Sequence, residues 1–315
     1  MYFEVTHRCN QNCKHCYLDC NINNKTKELS TKEILSIITE FKKQGGTYIT
    51  ITGGEPFIRK DIFDILDFLE SIELYFQIAT NSKAINSNRL SKLLSYKYLD
   101  QFFTSFVGTN KKEHEYISTN GNFVKVFEVV AAFSKANIKV YVQVTLMKDY
   151  WKNTDELLEK LFQYKNVIVQ VTPILEIGIK DSVSLRKELV INEQEKAKFM
   201  EMYKTLKLKY GDRLDKSNLS SKSDFKDEID YYSSKELYHL SESYICLRPD
   251  GTKSYSYDLI DPYSFGNALN GLSIDKEQQN LYYKLIQEAD RKIHTSMKEE
   301  QFIDIGVARS DVLKK

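Results

Sequence analysis

Between residues 1 and 175 the spacing of apolar residues switches repeatedly between two and about 3.6, which restricts the chain to folds built from strand–helix units. Residues 2–6 alternate as a short strand. Ser30 is a good N-cap and Glu33 completes a capping box; Ile34, Leu35, Ile38 and Phe41 follow at helical spacing until Gly45-Gly46 stops the helix. Residues 48–52 are rich in β-formers, and Gly53-Gly54-Glu55-Pro56 breaks them off. Ile62, Phe63, Leu66 and Leu69 mark the next helix. The pattern then predicts strands at 75–80, 100–107, 139–146 and 167–175, with helices at 89–96, 123–136 and 154–164 between them. Six strands alternating with helices imply parallel units wound with one hand, the strands covered by an outer layer of helices. In such folds chemistry gathers where strands end, so the segments after strands one and two should share one rim.

Beyond residue 178 the pattern changes. Residues 192–210 predict a long charged helix with Phe199, Met202, Tyr203 and Leu206 on one face. Residues 215–230 are polar and are expected to form an exposed loop. Residues 244–257 predict a hairpin about Pro249-Asp250-Gly251, and 275–294 a further amphipathic helix. Lys+Arg exceed Asp+Glu by only 45 − 44 = +1 over 315 residues, which supplies no bulk attraction to nucleic acid or anionic lipid. No run approaches the ~18 apolar residues of a membrane span, and Glu4 and Arg8 interrupt the start where an export signal needs an apolar core. A cytoplasmic protein without membrane or nucleic-acid partners is expected, beginning directly at strand one with no peptide-recognition domain before it.

Four of the five cysteines, Cys9, Cys13, Cys16 and Cys20, fall in the first twenty residues, and Cys246 stands far from them. An odd count crowded into one loop is a poor disulfide framework. Reduced, clustered thiols point to metal. Cys9-x3-Cys13-x2-Cys16 suits an iron–sulfur cluster or zinc, the latter with Cys20 or His15 as a fourth ligand. A cubane held by three protein thiolates leaves one iron open to a small molecule. Gly53-Gly54-Glu55 favours the cluster, because two glycines let backbone approach a ligand closely while Glu55 offers a carboxylate to a cationic group.

Cys9-Asn10-Gln11-Asn12-Cys13-Lys14-His15-Cys16-Tyr17, followed after strand two by Gly53-Gly54-Glu55-Pro56, strongly resembles the radical S-adenosylmethionine (radical SAM) superfamily. The resemblance covers roughly residues 1–175. It implies an α/β fold, a partial (βα)6 TIM-like barrel over residues 1–178, with a small α+β extension over 179–315. It also implies one 4Fe–4S cluster on Cys9, Cys13 and Cys16, and SAM chelating the open iron through its amino and carboxylate groups. One electron from an external donor of flavodoxin or ferredoxin type would cleave SAM to methionine and a 5′-deoxyadenosyl radical, which abstracts a hydrogen atom from substrate. The resemblance further places Tyr17 beside the adenine and Glu55 near the methionine amino group. Gly53, Gly54, Asn81 of Thr80-Asn81-Ser82, and Ser105 of Ser105-Phe106-Val107-Gly108 become further cofactor contacts.

Departures accompany these matches. Val107 stands where the fourth-strand motif has aspartate, and Ser118 stands near the family's arginine, so the SAM carboxylate falls to Ser118 or to Lys111 or Lys112. Residues 246–251 with Phe265-Gly266-Asn267 resemble the hairpin of SPASM and twitch extensions, but near Ser256, where a cysteine is expected, none stands. A degenerate extension without a cluster is expected. Cys246 is then either a buried small side chain or a thiol that returns a hydrogen atom to a substrate radical. By analogy with such extensions the substrate is a peptide or protein undergoing maturation, epimerisation or cross-linking. A small-molecule or sugar epimerase or dehydrogenase is the alternative, and a non-catalytic metal-binding protein the third reading.

Overall fold

The chain is known from a computed structural model that describes residues 1–16, 18–119, 121–148, 150–174, 188–215, 219–221, 245–254, 264–273, 276–297 and 302–304. Strands β1 (Tyr2–Glu4), β2 (Tyr48–Thr52), β3 (Tyr75–Ala79), β4 (Leu99–Val107), β5 (Lys139–Leu146) and β6 (Val167–Pro173) appear where the periodicity places them. They lie side by side in chain order, every neighbouring pair parallel. Helices α1 (Thr31–Lys43), α2 (Ile62–Ser71), α3 (Ser87–Ser95), α4 (Lys111–Ser118), α5 (Phe123–Lys135) and α6 (Thr154–Leu161) join them. The architecture is the expected α/β partial barrel.

The strands alternate strictly. Phe3, Ile49, Ile51, Phe76, Ile78, Phe102, Phe106, Val140, Val142, Val144, Val169 and Val171 are buried in one core shared with the helices. Each such side chain contributes on the order of 2 kcal/mol by leaving water. Their neighbours Gln77, Phe103, Ser105, Gln143, Thr145, Gln170 and Thr172 face the other way. A parallel sheet packed on both faces reads as continuous apolar runs; the alternation here records one face under helices and one concave polar face.

Helix α1 begins as its sequence requires, with the Ser30 side chain and the Glu33 side chain capping each other's backbone N–H groups. Helix α4 has no counterpart in the apolar pattern. Its N-cap is Asn110, whose side chain accepts from the Glu113 N–H at 3.2 Å. That Asn-x-x-Glu signal was legible; the helix is hard to see because only Ile117 among its apolar side chains is buried.

Helix α7 (Glu193–Tyr210), β7 (Leu219–Ser221), β8 (Cys246–Leu247), β9 (Thr252–Ser254), β10 (Ser264–Asn267), α8 (Lys276–Ser296) and β11 (Phe302–Asp304) complete the described elements. Residues 219–221, expected in a loop, form β7 by pairing antiparallel with β11; the rest of the expected loop from 216 on lies outside the described residues. The predicted hairpin forms between β8 and β9, turning at Gly251 with φ +86°. Its first strand pairs parallel with β1, with Tyr2 opposite Cys246 and Phe3 opposite Leu247, so the sheet runs β10-β9-β8-β1-β2-β3-β4-β5-β6. Arg248 fastens this junction with a 2.5 Å contact to Glu4, whose other carboxylate oxygen meets His7 Nε2 at 2.7 Å. Among the described residues no helix is long and apolar enough to cross a membrane.

Candidate cofactor site

The carboxyl ends of β2 to β6 and the loop after β1 enclose a cavity of about 450 Å³. Alternation decides which side chains reach it: Phe103, Ser105 and Val107 from β4, Gln143 and Thr145 from β5, Gln170 and Thr172 from β6. Cys9, Cys13, Cys16 and Cys20 line the same space, with Gly53, Gly54, Thr80 and Asn81. The two segments expected to share a rim do so.

The cysteine loop is held at both ends. At its base, buried Arg59 donates to the Val5 carbonyl at 2.9 Å and the Leu29 carbonyl at 3.2 Å while pairing with Asp61 at 2.6 Å. At its far end the Lys14 N–H donates to the Ile117 carbonyl at 2.9 Å, and the Cys13 thiol lies 3.6 Å from the Ser118 carbonyl. Helix α4 is thereby stitched to the loop. Burial pushes the Cys9 thiol up to about 12 and Cys13 upward as well, with Cys16 adding to both. Thiols so placed need the positive charge of bound metal to become thiolates.

Among the described residues no group of three or more His, Cys, Asp and Glu side chains is placed to hold a single metal ion. A cubane attaches each thiolate to a different iron and suits thiols spread around one cavity better than zinc does. Cys9, Cys13 and Cys16 could hold such a cluster. Cys20 has a different relation to it: its backbone N–H donates to Cys16 Sγ at 3.3 Å.

Gly53 and Gly54 are required by the chain's own backbone. A Cβ on Gly53, whose φ is +143°, would lie 2.2 Å from the Thr6 carbonyl oxygen, and one on Gly54 2.3 Å from that of Arg8. The approach makes two hydrogen bonds, Gly54 N–H to Thr6 O at 2.7 Å and Glu55 N–H to Arg8 O at 2.9 Å. These lock the second motif onto the stem of the cysteine loop.

Glu55 stands behind the cavity wall, wholly buried, and is not among the residues lining the cavity. Its carboxylate accepts from the Phe57 N–H at 3.0 Å, the Asn81 N–H at 2.8 Å and the Thr80 hydroxyl at 2.8 and 2.9 Å. It ties the end of β2 to the end of β3 and so presents Asn81, whose amide donates to Asn10 at 2.8 Å and reaches Cys9 Sγ at 3.6 Å. Burial pushes the Glu55 carboxyl from 4.5 up to about 7 against those donors. In that interval the native chain holds a proton that the unfolded chain has released. This group's contribution to stability is therefore complete below 4.5 and lost as the pH rises to about 7. The loss should be about 3 kcal/mol. Equilibrium denaturation between pH 5 and 8 should show that slope in the native sequence and lose it in Glu55→Gln; equal slopes would mean that the carboxyl is charged throughout.

Ser105 lines the cavity as expected. Ser118 does not: it is buried, and its hydroxyl donates to the His114 carbonyl at 2.6 Å within its own helix. Lys111 and Lys112 point to solvent on the first turn of α4. Tyr17 and Ser256 lie outside the described residues. Cys246 is buried on β8 opposite Tyr2, one strand from the cavity wall. His114, 3% exposed, also lines the cavity from α4, without a role assigned to it in advance.

A parallel βα sheet that gathers three cysteine thiols beside a glycine–glycine–glutamate turn, over a cavity of nucleotide size, defines a class of cofactor-dependent barrel proteins. This chain belongs to the radical SAM superfamily, which residues 3–171 match. Its cofactors are a 4Fe–4S cluster and S-adenosylmethionine. It is 29% identical over 160 residues to the mycofactocin maturase MftC of Mycolicibacterium smegmatis, covering 50% of this chain and 39% of that one. To the GTP 3′,8-cyclase of Aquifex aeolicus it is 26% identical over 195 residues, 60% of each chain. The chain thus spans less than two thirds of either relative. Streptococcus suis SuiB bound to S-adenosylmethionine shares the fold with a TM-score of 0.69 at 16% identity, over 90% of this chain and 64% of that one. The enzyme anSMEcpe with bound AdoMet does so at 0.65 and 13%, over 99% and 91%.

Proposed function

We propose that this chain cleaves S-adenosylmethionine reductively and abstracts a hydrogen atom from a peptide or protein substrate. Cys9, Cys13 and Cys16 hold the cluster, and Gly53, Gly54, Asn81 and Ser105 stand around the nucleotide with Tyr17. When bound, the cluster supplies one electron to SAM, and the adenosyl fragment supplies the hydrogen-abstracting radical. The chain's own residues orient the two reactants, and the concave sheet face confines them. An external one-electron donor of flavodoxin or ferredoxin type reduces the cluster, and residues 179–315 form a substrate-facing extension without a cluster of its own.

The observation that carries the peptide reading is the charge of the cavity. Among the described residues no Asp, Glu, Lys or Arg lines it; the polar groups are amides, hydroxyls, thiols and two histidines. Gln143 and Gln170 offer amide donors and acceptors that match a peptide backbone. A phosphorylated substrate entering that space would lose hydration without gaining a cationic partner. SuiB, which shares the fold, is known bound to its precursor peptide SuiA, and MftC is named as a maturase. Both support the same reading.

Anaerobic turnover of cluster-loaded protein with candidate peptides in deuterated water, followed by mass spectrometry, tests it. A mass loss of two hydrogens indicates cross-linking or oxidation, and uptake of one deuterium indicates inversion. Release of 5′-deoxyadenosine dependent on a sugar or nucleotide, with peptides inert, would overturn the peptide reading. In the inversion case Cys246→Ala should stop deuterium uptake while deoxyadenosine still forms; unchanged uptake removes Cys246 as the hydrogen donor.

A further inference from the structure

His114 presents a polar atom that no group among the described residues satisfies. Its Nδ1 accepts a hydrogen bond from the Val107 N–H at 3.1 Å, which assigns the ring proton to Nε2. The rings of Phe106 and Phe123 meet the imidazole edge-on, each with centroids 5.7 Å away, and fix its plane. Among the described residues Nε2 is buried without a hydrogen-bond partner, on a side chain that lines the cofactor cavity. Such an orphaned donor is destabilising unless a ligand supplies the acceptor.

We propose that the neutral imidazole of His114 donates its Nε2–H to the carboxylate of bound S-adenosylmethionine, the task for which this chain has Ser118 near the family's arginine. Three observations support this assignment. SAM carries one anionic group, its carboxylate, and among the described residues no lysine or arginine lines the cavity to receive it. The hydroxyl of Ser118 is spent on its own helix, and Lys111 and Lys112 face solvent. Helix α4 is stitched to the loop at Cys13 and Lys14, which brings His114, one helical turn before Ser118, near the proposed cluster ligands. Desolvation lowers the imidazole pKa to about 4, so the ring donates as a neutral group. A neutral donor also avoids burying a second positive charge beside the SAM sulfonium.

The test is equilibrium dialysis of cluster-reconstituted protein against SAM and against decarboxylated SAM, which keeps the sulfonium, ribose and adenine. His114→Asn retains an acceptor for the Val107 N–H near the Nδ1 position and removes the distal donor. It should weaken SAM binding about 10- to 100-fold, the cost of one hydrogen bond to a charged group, and leave decarboxylated SAM unchanged. His114→Gln, which places an amide near the Nε2 position, should recover part of the SAM affinity, and iron content in both variants reports that the site still forms. Equal weakening of both ligands in His114→Asn would overturn the assignment in favour of ribose, adenine or a structural role. Unchanged binding of both would overturn it outright.

Discussion

Alanine in place of any one of Cys9, Cys13 and Cys16 is expected to abolish 5′-deoxyadenosine release and to strip the protein of its stoichiometric iron and sulfide. Three thiolates on one short loop leave no reserve: losing one opens a second iron to solvent, and the remaining two hold the cluster weakly. Mutating even an outer partner of a metal ligand costs roughly 10- to 100-fold, so removal of a ligand should exceed about 100-fold. Cys20→Ala is the informative comparison. Cys20 lines the same cavity and its backbone N–H donates to Cys16 Sγ, but alanine keeps that N–H. Cys20→Ala should retain its iron and lose less than about 10-fold in activity. A Cys20→Ala protein as depleted as Cys9→Ala would mean that the ligand set is wrong.

Gly54→Ala should be nearly as damaging without touching a ligand. The new methyl would sit 2.3 Å from the Arg8 carbonyl oxygen, a backbone atom that can retreat only by breaking the two hydrogen bonds between the second motif and the cysteine-loop stem. Overpacking of this kind costs about 1–3 kcal/mol, and each lost hydrogen bond about 1 more. A loss of roughly 3–5 kcal/mol is a large part of the 5–15 kcal/mol typical of a domain. The displaced stem also carries Cys9, so iron content should fall together with the urea midpoint. Gly211→Ala provides the contrast, since that glycine has a φ of +57° and nothing within 4 Å of a new Cβ. It should show only the strain of its backbone conformation, about 1–3 kcal/mol, with full iron. Normal iron and an unchanged midpoint in Gly54→Ala would show that the loop tolerates the shift and that the motif does something else.

Much of this molecule could be read in advance, for identifiable reasons. Strands β1 to β6 came out within a residue or two because strict alternation marks a sheet with one greasy and one polar face. Helix α1 announced both ends, with Ser30 and Glu33 at the start and glycines after the stop. Helix α4 escaped because its signal is a cap with almost no apolar stripe behind it. Strand β7 was hidden for a different reason: Leu219–Ser221 is a strand only by virtue of a partner, Phe302–Asp304, more than eighty residues away. Local propensity carries no record of such a pairing.

The candidate site divides in the same way. The covalent order of the chain determined the superfamily, the three-cysteine loop, the glycine–glycine–glutamate turn and their common rim, because these are short motifs at the ends of elements with strong periods. Only the tertiary structure decided what each residue faces. It made Glu55 a buried tie between two strand ends, and set the glycines against the cysteine-loop stem. It also spent the Ser118 hydroxyl inside a helix and left the Nε2 of His114 to the cavity. Those roles depend on which backbone groups lie within 3 Å of one another, a property of packing between segments distant in the chain, and no motif spells that out.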